Sequence, residues 1–498
     1  MAPARAVAAC MRRALTVALV ATWAVMVGLL LRKQTATPAS DAAALLAAAP
    51  ASASDERDEW FGVYHGTEKV GHAHRVTART ADGYAFYEDS VVALAMLGTP
   101  QTLRTALAAE TDGDYALRRF RFTLVSPATT FSATGTSDDH VLSVRYGPQG
   151  QPADLRLPLT APIYLPSTLR PRVLAGDRAP GTRYTVPVFS PLALHNEPMT
   201  ITIDGTETID GPDGRVETTR LVEEHQGIEA HVWIDPDGGV VREEAALGFM
   251  LKREREEQAL APLSGTPVDL ARASKVPLTG DLEDARAAAR LRLRVSGPAA
   301  DRIPDDRRRQ RLHGDLLEIT REDLPAPLPL PLALPASADV TSAVGAAPFL
   351  EADDPTLAAR AKEIVGDARN SVTAARRLVS WVADAIDKAP TVTVPSAREV
   401  LASRRGDCNE HSVLLAALAR AAGIPARLVA GVVYAGDGFY YHAWTELWIG
   451  AWVSADSVFD QMPVDATHVK LVEGGPEQQI ALAGMIGKLA FRVEEDGR

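Results

Sequence analysis

The sequence predicts a multidomain chain: an N-terminal transmembrane helix, an antiparallel β-rich region and a C-terminal α+β domain. Three observations carry this. An apolar run stands near the N-terminus, short β-branched and aromatic segments recur from Trp60 to about Thr320, and helical periodicity takes over beyond a proline-rich stretch. A length of 498 residues, at about 150 residues per domain, suits roughly three units. The composition is that of folded protein, 46% hydrophobic and 23% charged. With 64 acidic and 52 basic side chains the net charge is -12, so nothing electrostatic draws the chain to nucleic acid, and no nucleic-acid partner is expected.

The first element is "RRALTVALVATWAVMVGLLLRK". Its 18 uncharged residues from Ala14 to Leu31 are just enough to span a bilayer as a helix. The run ends at Leu-Leu-Leu-Arg-Lys without a small-residue cleavage site, which favours an uncleaved signal anchor over residues 1–33. Arg5, Arg12 and Arg13 precede the span and only Arg32 and Lys33 follow it. The positive-inside rule then places the body outside the cytoplasm, on the periplasmic side of the cell membrane, as a single-pass protein. "VAAC" has the look of a lipoprotein box, but its apolar segment follows Cys10, so Cys10 is read as unmodified. Across a membrane Cys10 cannot pair with Cys408, the other cysteine, and the body is expected to be free of disulfides.

Residues 34–58, rich in Ala, Ser and Pro, read as a disordered tether. The β-rich region, one or two units over 59–322, follows from runs such as "WFGVYHGTEKVGHAHRV", "YAFYEDSVVALAML" and "MTITIDGTETI". Asp235-Pro-Asp-Gly-Gly joins two alternating runs as a hairpin turn. A calcium loop starting at Asp235 is excluded because Ala246 stands where a glutamate ligand belongs. "DLEDARAAARLRL" has a more helical character. The stretch "LPAPLPLPLALP" holds five prolines between Pro325 and Pro335 and reads as an extended linker over 323–348.

The last unit, 349–498, opens with helices. Val372, Ala375, Leu378, Val379, Val382 and Ile386 share one face, capped by Asn370 or Ser371. Ser396 and Glu399 have capping-box spacing for a short helix. A third helix starts at Asp407, with Glu410 at capping-box spacing, Leu414, Leu415 and Leu418 as its buried stripe, and Gly423 and Pro425 ending it. Cys408 therefore lies in a first helical turn, where unpaired N–H groups and the helix dipole favour a thiolate and can bind an oxyanion. A lone cysteine is more often a small core residue. The downstream sequence changes that balance. "YYHAWTELWIGAWVSADSVFD" reads as a hairpin with His442, Trp444, Glu446 and Trp448 on one strand face and a turn at Gly450. Imidazole and the Asp456 carboxylate can meet across that ladder, supplying base and orienting acid for the thiol.

"SAREVLASRRGDCNEHSVLLAALARAAGIPARLVAGVVY", "HAWTELWIGAWVSAD" and "DATHVKL" resemble the bacterial transglutaminase-like family, cysteine enzymes of papain-like architecture. The resemblance covers about 350–470. It implies Cys408 as nucleophile, His442 as general base and Asp456 as the residue that orients His442, and it makes the last unit a transglutaminase-like (papain-like) domain. The family commonly reads Asp-Pro-Thr at the acid, whereas Ser457-Val458 follow Asp456 here. Asp460 and Asp465 are thus weaker candidates for the third role, and Trp452, four before Asp456, keeps Asp456 ahead.

Among other residues, His411 on the helix of Cys408 is read as capping or packing, since it cannot easily approach the thiol in line. Glu446 is read as lining the cleft or as a solvated strand residue. Trp444 and Trp448 are read as packing. His65, His72 and His74 lack the carboxylate or cysteine company of a zinc site. No metal and no cofactor is expected. The function expected is a membrane-anchored cysteine acyl-transfer enzyme acting on a protein or peptide substrate, with hydrolysis favoured over cross-linking because no calcium-site pattern or amine-acceptor site is evident. An enzyme acting on peptidoglycan peptides shares that chemistry. The competing class is a non-catalytic envelope binding or scaffold protein.

Overall fold

The computed structural model describes residues 56–498 apart from 139, 149–151, 175, 264, 392, 394, 476–481, 483, 486 and 498. Its first body is one long antiparallel sheet, a run of hairpins on either side of a central junction. From Arg57–His65 the chain steps outward strand by strand to the edge strand Ala153–Pro158. It then crosses through the helix Pro166–Leu174 and returns from the opposite edge, Arg183–Ser190, to Phe249–Glu254. The junction pairs Trp60 with Glu254 and His65 with Phe249. Alternation dictates the two faces: a period of two sends Phe61 and Val63 into the core and leaves Trp60 and Tyr64 half-buried on the other face. The sheet curls over its own core, because the rings of Phe120 and Phe189 meet at 5.3 Å although their strands are far apart in sheet order.

A second sheet of nine strands holds the remainder together. Its order is Gln310–His313, Leu316–Thr320, Arg290–Ser296, Ala490–Gly497, Val276–Thr279, Gly438–Trp448, Ala426–Tyr434 and His468–Glu473, with Trp452–Ala455 paired to Gly438–Trp448. The sequence reading grouped 276–320 with the N-terminal strands, but these strands pair with the C-terminal part. Within that stretch, the segment of helical character gives only a 3-10 turn at Ala285–Ala287 before the strand Arg290–Ser296. There Leu291, Leu293 and Val295 are buried at a period of two, and burial on a sheet overrides the helix propensity of the alanines.

Side chains join the two ends of this sheet. The Gln310 amide donates to the Lys470 carbonyl and accepts from the Lys470 amide, at 2.8 and 2.9 Å. The buried Arg309 guanidinium donates to the carbonyls of Asp465 and His468.

Four helices pack on this sheet: Pro355–Val365, Ser371–Ala385, Ala397–Ser403 and Cys408–Ala421. Asn370 caps the second by accepting from the Thr373 amide at 2.9 Å, and the expected apolar face is buried. The third helix is capped differently from the S-x-x-E expectation. The Ser396 hydroxyl donates to Glu351 and the Glu399 carboxylate accepts from Thr129, so both side chains serve tertiary contacts instead of the helix end. The helix Cys408–Ala421 lies in the middle of the core, with Leu414, Leu415 and Leu418 wholly buried. Each such leucine contributes about 1.5–3 kcal/mol, which makes this helix the most firmly seated element of the unit. The proline-rich stretch is extended as expected, but it is not a free linker. Leu324, Leu330 and Leu332 pack on the helical core, and the Leu330 amide donates to the Arg369 carbonyl.

One expectation is corrected. No helix among the described residues is long and apolar enough to cross a membrane. A fold class headed by a transmembrane helix, and the single-pass localisation and membrane partner that rested on it, are therefore withdrawn. The Ala14–Leu31 run that prompted them, with Cys10 and most of the expected tether, lies outside the described residues.

Candidate active site

The first turn of the helix Cys408–Ala421 is fixed by its cap. The Asp407 carboxylate accepts from the Asn409 amide at 3.0 Å, and Glu410 accepts from the Asp407 amide at 2.8 Å, completing the capping box. Glu410 also accepts from the hydroxyls of Thr391 and Thr393. Two hydrogen bonds tie the helix to the strands bearing the other candidate residues. The Thr445 hydroxyl donates to the Ser412 carbonyl at 3.2 Å, and the Ser457 hydroxyl to the His411 carbonyl at 3.4 Å.

Across from this turn, Gly438–Trp448 and Trp452–Ala455 form the expected hairpin, pairing Thr445 with Ala455 and Trp448 with Trp452 around Gly450. His442 and Asp456 are both buried, and His442 Nε2 meets Asp456 Oδ2 at 2.7 Å. The Ala443 backbone, next to His442, favours the charged form of the Cys408 thiol, which lines the cavity beside that strand. Cys408, Asn409, His411, Tyr441 and His442 line one cavity of about 1030 Å³. Its far wall comes from the first body and the segment after it, through Leu97, Leu192, Leu247 and Asp269–Arg272. Leu97 is 65% exposed at a hairpin tip that the Gly98 amide fastens to the Asp269 carboxylate at 2.7 Å.

Electrostatics depart from the sequence expectation at the thiol. Burial and the neighbouring Asp407 carboxyl push Cys408 well above its ordinary value, and the Ala443 amide offsets only part of this. Burial and Glu410 push Asp407 up in turn. The resting form at Cys408 is thus the thiol, despite its position at a helix N-terminus. At Asp456, burial opposes ionisation, but His442 and then His468 outweigh it and hold the carboxyl well below its ordinary value.

His468, within "DATHVKL", has no role that the sequence predicts. Fully buried, it places Nε2 3.0 Å from Asp456 Oδ2 and Nδ1 3.3 Å from Asp465 Oδ1. Asp465, a weaker candidate for orienting His442, instead contacts His468, Thr467 and Arg286. Asp460, the other, is exposed and accepts from Ser380. The side chains of His442, Asp456 and His468 bring one ligand atom each within 4.8 Å of one another, a spacing that a cation can bridge. Here both imidazoles share a single carboxylate oxygen at hydrogen-bond distances, and hydrogen bonding accounts for the cluster.

His411 packs as expected in part: its Nδ1 bonds the Asp407 carbonyl at 2.7 Å, but its buried Nε2 has no hydrogen-bond partner and the residue lines the cavity. Glu446 follows neither expected alternative. Buried, it pairs with Arg427 and with Lys470 at 2.9 Å. Trp444 is buried, its ring edge-on to His468 at 5.3 Å. His74 stacks on Trp60 and bonds the Asp58 carboxylate.

Comparison with known proteins agrees with the hairpin and helix just described. Residues 358–457 match the transglutaminase-like superfamily model, a span that contains Cys408, His442 and Asp456 and ends before Asp465 and His468. No curated protein matches the chain. Among solved structures, a beta-barrel-like protein of a domain of unknown function from Brucella abortus is 9% identical, with a TM-score of 0.33, over 40% of this chain and 95% of its own. A candidate cysteine protease from Cytophaga hutchinsonii is 14% identical, with a TM-score of 0.26, over 45% of this chain and 85% of its own. A candidate protease from Parabacteroides distasonis is 11% identical, with a TM-score of 0.19, over 68% and 69%. Likenesses this low carry no argument about the site. Over residues 358–457 the C-terminal part of this chain is a transglutaminase-like domain.

Proposed function

We propose that this chain is a cysteine acyl-transfer enzyme that breaks amide bonds of a protein or peptide substrate through a thioester at Cys408. The observation that carries the reading is the 2.7 Å contact between His442 Nε2 and Asp456. It commits one imidazole nitrogen to the buried carboxylate and leaves Nδ1 as the nitrogen available to a thiol lining the same cavity. Because burial keeps Cys408 protonated at rest, His442 acts as a general base. As sulfur attacks the carbonyl carbon, the thiol proton passes to His442 Nδ1, and Asp456 stabilises the imidazolium that forms.

Asp407 occupies the Asn409 and Glu410 amides, so the Cys408 amide is the donor of that turn assigned to the oxyanion. Collapse of the tetrahedral intermediate breaks the C–N bond, the amine leaves with the proton from His442, and the acyl group stays on sulfur. Water as acceptor gives hydrolysis and an amine gives transamidation. Hydrolysis is the proposed outcome.

The test is alkylation of the folded chain by iodoacetamide near neutral pH, read by mass spectrometry at Cys408. Loss of general-base help costs on the order of 10²–10⁴ in rate for such steps. His442→Ala is therefore expected to slow labelling by at least about tenfold. Equal rates for the wild type and the variant overturn the assignment.

A further inference from the structure

We infer that His468, held between Asp456 and Asp465, is a positioning residue: a buried imidazolium that fixes the Asp456 carboxylate and offsets its charge beside His442. This rests on the catalytic reading of Cys408 and His442.

The argument begins with donors. Asp456 and Asp465 offer oxygens at 3.0 and 3.3 Å to the two ring nitrogens of His468. An ionised carboxylate only accepts, and a neutral imidazole carries one N–H, so satisfying both contacts requires both nitrogens to be protonated. The ring is wholly buried and cannot turn to water for either. Its backbone is anchored as well, because Arg309 from the opposite edge of the sheet holds the carbonyls of both Asp465 and His468. Trp444 and Phe459 close on the ring edge-on, at 5.3 and 6.0 Å.

The charges facing this ring are few. Asp456 and Asp465 are negative, and Arg286 meets the other Asp465 oxygen at 3.1 Å. His442 approaches at 5.7 Å between ring centroids. Burial alone would strip the proton from His468, but the two carboxylates prevail and raise its affinity for it. Without that cation the Asp456 carboxylate would face His442 alone at the wall of the cavity.

The sign of the effect follows. Removing a positive charge raises the pKa of every group near it, so in His468→Gln the pH midpoint of Cys408 alkylation moves upward. For a charge within 4–6 Å the shift is about one unit or more. A purely structural role lowers the amount of folded protein and leaves the midpoint where it was. Because His468→Gln can fold poorly, the wild-type chain supplies a second readout, the nitrogen-15 spectrum of its imidazoles. Both ring nitrogens of His468 are expected to carry protons at pH 7. A neutral tautomer there, or an unchanged midpoint in folded His468→Gln, overturns the inference. Neither outcome depends on the His442→Ala comparison, which tests the catalytic reading separately.

Discussion

Asp456→Asn is close to isosteric, yet the structure predicts that it is costly. The carboxylate receives three donors on two oxygens: His442 and His468 on Oδ2 at 2.7 and 3.0 Å, and the Val458 amide on Oδ1 at 2.7 Å. An asparagine amide offers one oxygen. In its better orientation that oxygen serves the imidazoles and the NH₂ group confronts the Val458 N–H, leaving a donor without an acceptor at about 1–3 kcal/mol. The loss of charge also weakens the hydrogen bond to the imidazolium of His468, worth about 1.5–3 kcal/mol for a charged partner. With Asp456 only 1% exposed, solvent replaces neither. The sum, about 2.5–6 kcal/mol, spans the range found on breaking a buried pair and is large beside a typical stability of about 5–15 kcal/mol.

The assay is urea denaturation at pH 7 followed by tryptophan emission, with Asp460→Asn as an exposed control expected within about 0.5 kcal/mol of wild type. The pH is chosen from the direction of the shift. A carboxyl held below its unfolded value contributes fully above about pH 4 and loses that contribution as the pH falls through the folded value. A variant Asp456→Asn as stable as the control at pH 7 would refute the reasoning.

Three further outcomes follow from the same contacts. Glu446→Ala takes from Arg427 and Lys470 their shared buried partner and leaves them the more exposed Glu473, so it should cost at most about 3–5 kcal/mol in the same denaturation assay, while iodoacetamide labelling of the folded fraction slows far less than in His442→Ala. Leu97→Ser, at an exposed hairpin tip, should change stability by no more than about 0.5 kcal/mol, yet slow Cys408 inactivation by a leucyl chloromethyl ketone relative to iodoacetamide; an unchanged ratio would separate the first body from substrate contact. For His468, whose proton affinity is raised on folding, the contribution is full below about pH 6.5 and declines as pH rises through the folded value. The stability gap between wild type and His468→Gln should therefore be wider at pH 6 than at pH 9, and a gap that widens with pH contradicts the buried imidazolium.

Much of the site was legible because it is built from local signals. Asp407 and Glu410 announce a helix start three residues apart, and that start places Cys408 in the first turn. The alternation around His442 and the turn at Gly450 fix the register that brings Asp456 across the ladder. The cap at Asn370 and the stripe of the second helix were readable for the same reason.

What was not readable depends on contacts distant in sequence. Ser396 and Glu399 have the spacing of a capping box, but Glu351 and Thr129 claim them. Glu446 alternates like a solvated strand residue, and only the arrival of Lys470 on a strand two places away buries it. The thiol was expected to be acidic from its helix position, and desolvation by the surrounding fold reverses that. His468 carries no local sign of its role, since its partners Asp456 and Arg309 come from 12 and 159 residues away. The second sheet drew in 276–320 through pairing with the last strand, which no local pattern encodes.

The central claim is that Cys408 carries the acyl group, and p-nitrophenyl acetate tests it most directly. Mixed with the full-length chain, it should give a burst of nitrophenol with an acetyl adduct on Cys408, followed by slower turnover as His442 activates water. The burst should vanish in Cys408→Ala. A burst of equal size in that variant, or an adduct confined to another residue, would contradict the account.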